Sequence, residues 1–549
     1  MNLSRLWSLA AFVAISLACL ILGCWLRAIS TPEWMLEDTT QDPPAMRPWA
    51  VEADCYSQLA RVQRILHGQG LIQNHFAMEN WPEGLIPTTT APFDYVILLL
   101  YAPLSLFTRH PLDWAGALVS PALWVALVVF WMLFRSREFN LAGRALLLIG
   151  SAALPAFIWA TECGRPRHQS LILALLALGL TAEYERWQIE LTPKRAWNIF
   201  AGVVWGLACW TSLFEPSLVV VALVLFNLTV RRRENPAFLI SFGIVVAAML
   251  LLEGGHVFST IFNISSLTPE YRQYALNWLG TIAEVRPIDF EVMMQRMTLI
   301  FVALPFLAWR LWPRAHGNKT DAFVILLTFL LSVLTMWQSR WVYYASLGEL
   351  LLVVRYYQAA PRRWTRLTVL FIFLIGLIDA DVRQISGHAG APANQPSLQL
   401  AEIAASIDGS GGILAPWWLS PGLLYFSGDP IVSGSSHCGI SGIVASAKFY
   451  TATSWAGAER ILRERRVRWV VVWDDQTIYH GQQLVYPLLN SSRGILGLPL
   501  YSGDDPGDAE STVAQALISN HDLPSSFHLR GVTSQLKLYE YLPAPASGP

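Results

Sequence analysis

Carboxylates and arginines able to handle a phosphate group lie in short polar stretches of the 549-residue chain. Asp54 opens the stretch VEADCYSQLARVQRI, where Gln58, Arg61 and Arg64 follow at helical spacing. Arg165, Arg167 and His168 crowd into ECGRPRHQ, Glu284 and Arg286 into GTIAEVRP, and Arg340 opens an apolar run in QSRWVYY. A guanidinium grips phosphate through paired N–H donors, and a neighbouring carboxylate can take a proton or orient a hydroxyl. The set therefore suits the anionic phosphate or pyrophosphate head of a lipid. His168 is read first as a helix-start histidine and second as a ligand. Asp474 and Asp475 follow a β-rich run and are read as a strand-end loop. The six cysteines show no CxxC spacing, so a zinc site is not expected. Cys55 and Cys163 are expected on the same side of the membrane, with two free thiols favoured over a disulfide.

The elements that hold these stretches are expected to lie in lipid. Hydrophobic residues make up 54% of the chain and charged ones only 14%, against about a quarter charged in soluble proteins. A net charge of −1 gives no overall field for nucleic acid, and 24 tryptophans suit membrane interfaces. The uncharged run 6–26 is long enough for a bilayer core and is expected to be a retained first helix rather than a signal peptide. Further apolar runs at 114–134, 145–160, 171–182, 197–214, 216–230, 237–252, 299–312, 322–337, 341–354 and 367–378 bring the total to about 11 to 13 spans. Run 95–107 is expected to lie in the outer interface. With the N-terminus cytoplasmic, the basic clusters Arg135, Arg137 and Arg144; Lys194 and Arg195; Arg231 to Arg233; Arg310, Arg314 and Lys319; and Arg355, Arg362, Arg363 and Arg366 fall inside, as the positive-inside rule requires. Counting 95–107 as a crossing would invert that pattern.

The expected organisation is a polytopic α-helical membrane domain over residues 1–380 and an extracytoplasmic α/β domain over 381–549. The first includes an outer loop at 28–112 with its interfacial helix, a tight loop at 162–169 and an outer loop at 253–291. In the second, helical patterns at 398–407 and 456–465 alternate with strand patterns at 467–473, 527–532 and 536–541. A transporter would place its ionisable residues near the bilayer midplane; here they sit in the loops.

The order of these parts resembles the catalytic subunit of oligosaccharyltransferases, membrane glycosyltransferases of the GT-C class. Asp54 with Tyr56, then NWPEG at 80–84 and the interfacial helix, is similar to that family's first outer loop. TIAE at 281–284 matches its TIXE motif, Arg340 resembles its arginine near the donor phosphate, and Trp417 and Trp418 resemble the start of its WWDYG motif. The chain departs at two motifs. Arg167 and Gln169 stand where the family carries metal-binding residues, and WWLSPG places Leu419 where an Asp helps to hold the acceptor sequon.

The resemblance implies transfer of a sugar or oligosaccharide from a polyprenyl-linked donor to a glycan, lipid or protein acceptor, in the inner (plasma) membrane. Asp54 and Glu284 are then the expected catalytic pair, Arg167 and Arg340 the donor-phosphate ligands, and Trp417 and Trp418 acceptor-side residues. Mg²⁺ or Mn²⁺ would need Asp54 and Glu284 with Glu162 or His168, so a weakened or absent metal requirement is expected. A catalytically degenerate protein that binds a lipid-linked glycan is the alternative, ahead of a transporter or flippase.

Overall fold

A computed structural model describes residues 3–38, 45–87, 89–134, 139–187, 195–230, 233–258, 267–388, 396–474, 479–480, 483–484, 487–501 and 511–543. Arg135, Arg137, Lys194, Arg231, Arg232 and Asp475 lie outside them. The chain forms two compact units, each assembled from separated segments. The first comprises Met1–Trp34, Tyr95–Leu252 and Glu284–Ala393; the second comprises Met35–Asp94, Glu253–Ala283 and Asn394–Pro549.

The first unit is helical, and the apolar runs of the sequence fall on helices, that at 145–160 on two. Among the described residues, Trp7–Ile29, Pro111–Leu133, Pro236–Glu253 and Lys319–Trp337 are long and apolar enough to cross a membrane. A fifth span arises if Phe290–Met297 and Ile300–Ala315, bent by 71° at their junction, count as one. Other helices are apolar but shorter, or carry charge because protein surrounds them. His168–Trp187 is buried along nearly its whole length, Glu183 and Arg186 included, and Arg186 binds Glu183, Glu234 and Asn198. Val342–Ala359 is equally enclosed, with Arg355 bound to Asp321 at 2.6 Å.

Local chemistry explains the breaks. Leu154 precedes Pro155, whose ring disfavours the helical region for the residue before it. Leu154 is accordingly extended, ending Leu141–Ala153 and starting Pro155–Ala160. The 71° bend falls at Thr298, which has φ of +64°, a conformation costly for a β-branched residue. Asn318 caps Lys319–Trp337 by accepting from the backbone N–H groups of Thr320 and Asp321. Where helices touch most closely, glycine makes the space: a Cβ on Gly202 would lie 2.5 Å from the Phe238 carbonyl oxygen.

The second unit is α/β. Strands Gly412–Leu414, Val467–Trp473, Leu536–Tyr541 and Phe527–Val532 lie side by side in that order, the first pair parallel and the others antiparallel. Val470, Val472, Leu414 and Tyr539 project from the sheet into a core shared with Phe449, Leu462 and Leu517 from flanking helices. A two-stranded ribbon pairs Met35–Asp38 with Ala45–Pro48.

Candidate active site

In the first unit the loop carrying Glu162 to Arg167 is fastened at several points. Cys163 N donates to Arg27 O at 3.2 Å and Gly164 N to Ala117 O at 3.1 Å. Glu162 accepts from Ser30 Oγ at 3.1 Å and pairs with Arg165 at 2.5 Å. The Arg165 and Arg167 carbonyls accept from Ser120 and Ser170. Arg27, wholly buried, donates to Thr161 and to the Ser151 and Ala152 carbonyls that end the Leu141–Ala153 helix. The loop is therefore a rigid platform for Arg167, at its end, and for His168, which starts the next helix.

Arg167 binds the Glu284 carboxylate, which also accepts from Tyr343 Oη at 3.3 Å. Ser339 N donates to Arg286 O at 2.9 Å, tying the residues after Glu284 to the turn that bears Arg340. Arg340 binds the buried carboxylate of Glu215, which Ser212 Oγ holds at 2.5 Å. His168 stands in the electrostatic field of Glu215, Arg340, Arg167 and Glu284. Burial alone would push the Glu284 carboxyl up. The guanidiniums of Arg167, Arg340 and Arg165 outweigh it and hold the group below its usual range.

The structure thus brings Glu162, Arg167, His168, Glu284 and Arg340 into one cluster. Asp54, Trp417 and Trp418 belong to the second unit. Asp54 is exposed on the first turn of the Ala53–Leu66 helix. Gln58 and Arg61 do not extend its charged face; both bind Asp94, whose carboxyl burial pushes up to about 6 against their pull. Tyr56 packs on Tyr425 and Phe426. Trp417 stacks edge-on between Trp278 and Trp418, each 5.7 Å away, and all three indole N–H groups lack a partner. A small cleft beside Trp417 and Trp418 is lined by Ser446, Tyr450, Ser491 and Ser492. Asp474 pairs with Lys537 at 3.1 Å at the end of its strand, as its position suggested. Neither Cys55 nor Cys163 takes part in a disulfide among the described residues.

Glu215, Asp94 and Tyr343 went unnoticed in the sequence. Glu215 had a signal: it is the one charged residue between the apolar runs 197–214 and 216–230, where an unpaired carboxylate would be costly. Among the described residues no three His, Cys, Asp or Glu side chains gather as metal ligands. Glu284 and Glu162 instead face arginines at bonding distance.

Solved structures of an archaeal oligosaccharyltransferase and of ArnT, glycosyltransferases of the GT-C class, share this fold. No family model and no curated protein matches the sequence. The oligosaccharyltransferase of Archaeoglobus fulgidus, tethered to an acceptor peptide containing the NVT sequon, superposes with a TM-score of 0.68. Identity is 13%, over 94% of this chain and 79% of that one. AglB from Archaeoglobus fulgidus, with an inhibitory peptide and a dolichol-phosphate, gives 0.64 at 13% identity, covering 96% and 80%; an Archaeoglobus fulgidus oligosaccharyltransferase is also known in complex with zinc and sulfate. ArnT from Cupriavidus metallidurans gives 0.51 at 12% identity and covers 98% of both chains. The chain shares the fold of these GT-C glycosyltransferases.

Proposed function

We propose that the protein is a membrane glycosyltransferase that moves a sugar or oligosaccharide from a polyprenyl-phosphate or -pyrophosphate donor to an acceptor hydroxyl on a lipid, polysaccharide or protein. The observation that carries this reading is the pair of fixed arginines, Arg167 and Arg340, each braced by a carboxylate within one cluster. A leaving lipid phosphate gains negative charge as the sugar–oxygen bond breaks. Preorganised guanidiniums meet that charge without reorganising, an effect worth about 10²–10³ in rate per donor. Glu284 orients the acceptor. Asp54 takes the hydroxyl proton as the new bond to the sugar's anomeric carbon forms, and the lipid phosphate departs with the electron pair of the broken bond.

The residues of this cluster do not fit a divalent cation as they stand. Glu284 and Glu162 are each neutralised by a guanidinium, and Arg167 occupies the place of a ligand in the family pattern. Arginine charge in place of a metal is the simpler reading. Leu419, in place of the sequon-holding Asp, disfavours asparagine as acceptor, and it is buried. The positive-inside pattern of the sequence supports a cytoplasmic N-terminus with the 381–549 region outside, in the inner membrane.

The test is turnover by purified protein with polyprenyl phosphate- and pyrophosphate-linked donors, with and without chelator, read by mass spectrometry. Product should form in chelator, and Arg340→Ala and Asp54→Ala should each lose at least about 100-fold in kcat/KM. Activity that vanishes on chelation and returns with Mn²⁺ would overturn the metal-free reading. The prior neutralisation of Glu162 and Glu284 favours one second reading, a protein that holds a lipid-linked glycan without turnover. Retained donor binding and cellular role in Asp54→Ala, with no product from wild type, would establish it.

A further inference from the structure

Glu79 lies behind Asp54 in the second unit and takes no part in the chemistry proposed above. Its carboxyl is buried and accepts from Ser436 N at 3.1 Å. It occupies the space that Gly434 leaves open, since a Cβ there would come within 2.1 Å of Glu79 Oε1. The backbone of Glu79 pairs with Ile431 in a parallel bridge. Asn80 continues the seam, its Oδ1 accepting from Ser441 Oγ and Gly442 N, both at 2.8 Å. On its other side the same strip meets the Ala53–Leu66 helix, with Ser435 Oγ 3.0 Å from Ser57 Oγ. Ser57 follows Asp54 by three residues, so the two share a helix face. Residues 433–436 are thus held between a buried acid and the turn that carries the exposed Asp54.

The charged groups facing Glu79 are Asp54, which repels a second anion, and Arg61, which also binds Asp94. Burial, with Asp54 adding to it, pushes the Glu79 carboxyl up to about 7. An anchor that stays neutral in mildly acid conditions sets no like charge opposite Asp54.

We propose that Glu79 is a positioning residue for Asp54, anchoring the 433–436 strip against the helix face on which Asp54 stands. The inference rests on the reading of Asp54 as the acceptor-side base. Two measurements on the full-length protein separate its failure from the failure of that reading. In hydrogen–deuterium exchange, Glu79→Ala should speed exchange across 433–442 at least tenfold and leave the Val467–Trp473 strand unchanged. Glu79→Gln, which keeps an acceptor oxygen for Ser436 N, should exchange as wild type. In turnover, Glu79→Ala should lower kcat at least tenfold with donor KM unchanged, and Glu79→Gln should recover most of it. Where Glu79→Ala loosens the whole unit, Gly434→Ala gives the decisive reading, because it forces the strip off Glu79 while keeping the acid; local loosening at 433–442 is expected. Unchanged exchange at 433–442 in both variants, or unchanged kcat once the strip is loosened, would overturn the proposal. Local loosening in a protein that turns over no donor would leave the anchor standing and defeat the transferase reading.

Discussion

Arg167 and Arg340 both bind carboxylates, but the carboxylates differ in how completely water is excluded. The Glu215 side chain is fully buried, whereas that of Glu284 keeps 20% exposure. Removing one partner of a buried pair strands the other, at about 3–5 kcal/mol, and partial hydration relieves that cost. Arg340→Ala should therefore lower the thermal unfolding midpoint in detergent clearly more than Arg167→Ala; equal losses would count against the burial argument. Glu79 allows a second prediction with a definite sign. Its carboxyl titrates at about 7 when folded against an ordinary 4.5, so between those values only the folded state keeps the proton. The stability it contributes is complete below about pH 4.5 and is lost as pH rises through 7. At about 1.4 kcal/mol per unit, wild type at pH 8 has lost about 3 kcal/mol that Glu79→Gln does not lose. Unfolding midpoints at pH 5 and pH 8 check this: the variant should gain on wild type at the higher pH, and a difference that ignores pH would refute it. Asp54, Arg167 and Glu284 stood out in the sequence because they lie in short polar stretches, and Arg340 because it opens an apolar run. Glu215 and Asp94 were harder to see, because their significance lies in partners distant in sequence: Arg340 for one, Gln58 and Arg61 for the other.

Helices of the first unit were legible wherever an apolar run was long, and the paired strands at 527–532 and 536–541 wherever polarity alternated. Element edges were less so, for identifiable reasons. Pro155 announced the break after Leu154, but no glycine or proline marks the 71° bend at Thr298, which tertiary packing imposes. Helix-to-helix distance is likewise invisible in one dimension. Gly202 touches Ser241 and Phe238 on the Pro236–Glu253 helix so closely that a Cβ would lie 2.1 Å from Ser241 Oγ and 2.5 Å from a backbone oxygen. A hydroxyl can rotate away, but the carbonyl cannot move without the helix. Gly202→Ala should then cost about 1–3 kcal/mol through overpacking. Gly243→Ala supplies the control, since nothing lies within 4 Å of a Cβ built there. Thermal unfolding of the two variants side by side should show a loss in the first and none in the second. Equal behaviour would mean that the two helices are not in van der Waals contact at Gly202.

Across the whole molecule, the linear order hides the grouping of segments 35–94 and 253–283 with the C-terminal region, because that grouping is made by contacts between residues hundreds of positions apart. What the sequence does carry at this scale is the distribution of basic charge, and the first unit gives it a geometric meaning. Lys319–Trp337 has 19 residues, so it is about 28 Å long, close to the thickness of a bilayer core. Arg314 and Lys319 flank the turn at one end of that helix, while Arg340 and the cluster around Glu284 follow its other end. Val342–Ala359 then returns to a second basic turn at Arg362 and Arg363. Basic turns and candidate site thus lie at opposite ends of the helices that join them. A charged side chain costs about 2.5–3.5 kcal/mol at the membrane centre, and basic residues are retained on the cytoplasmic side. On the positive-inside rule the proposed site should consequently open away from the cytoplasm. In a variant lacking the native cysteines, His521→Cys should react with a membrane-impermeant maleimide added to intact cells. Arg363→Cys should react only after permeabilisation; both positions are exposed. The reverse pattern would invert the topology and, with it, place the arginine cluster on the side where nucleotide-activated sugars, rather than lipid-linked ones, are the available donors.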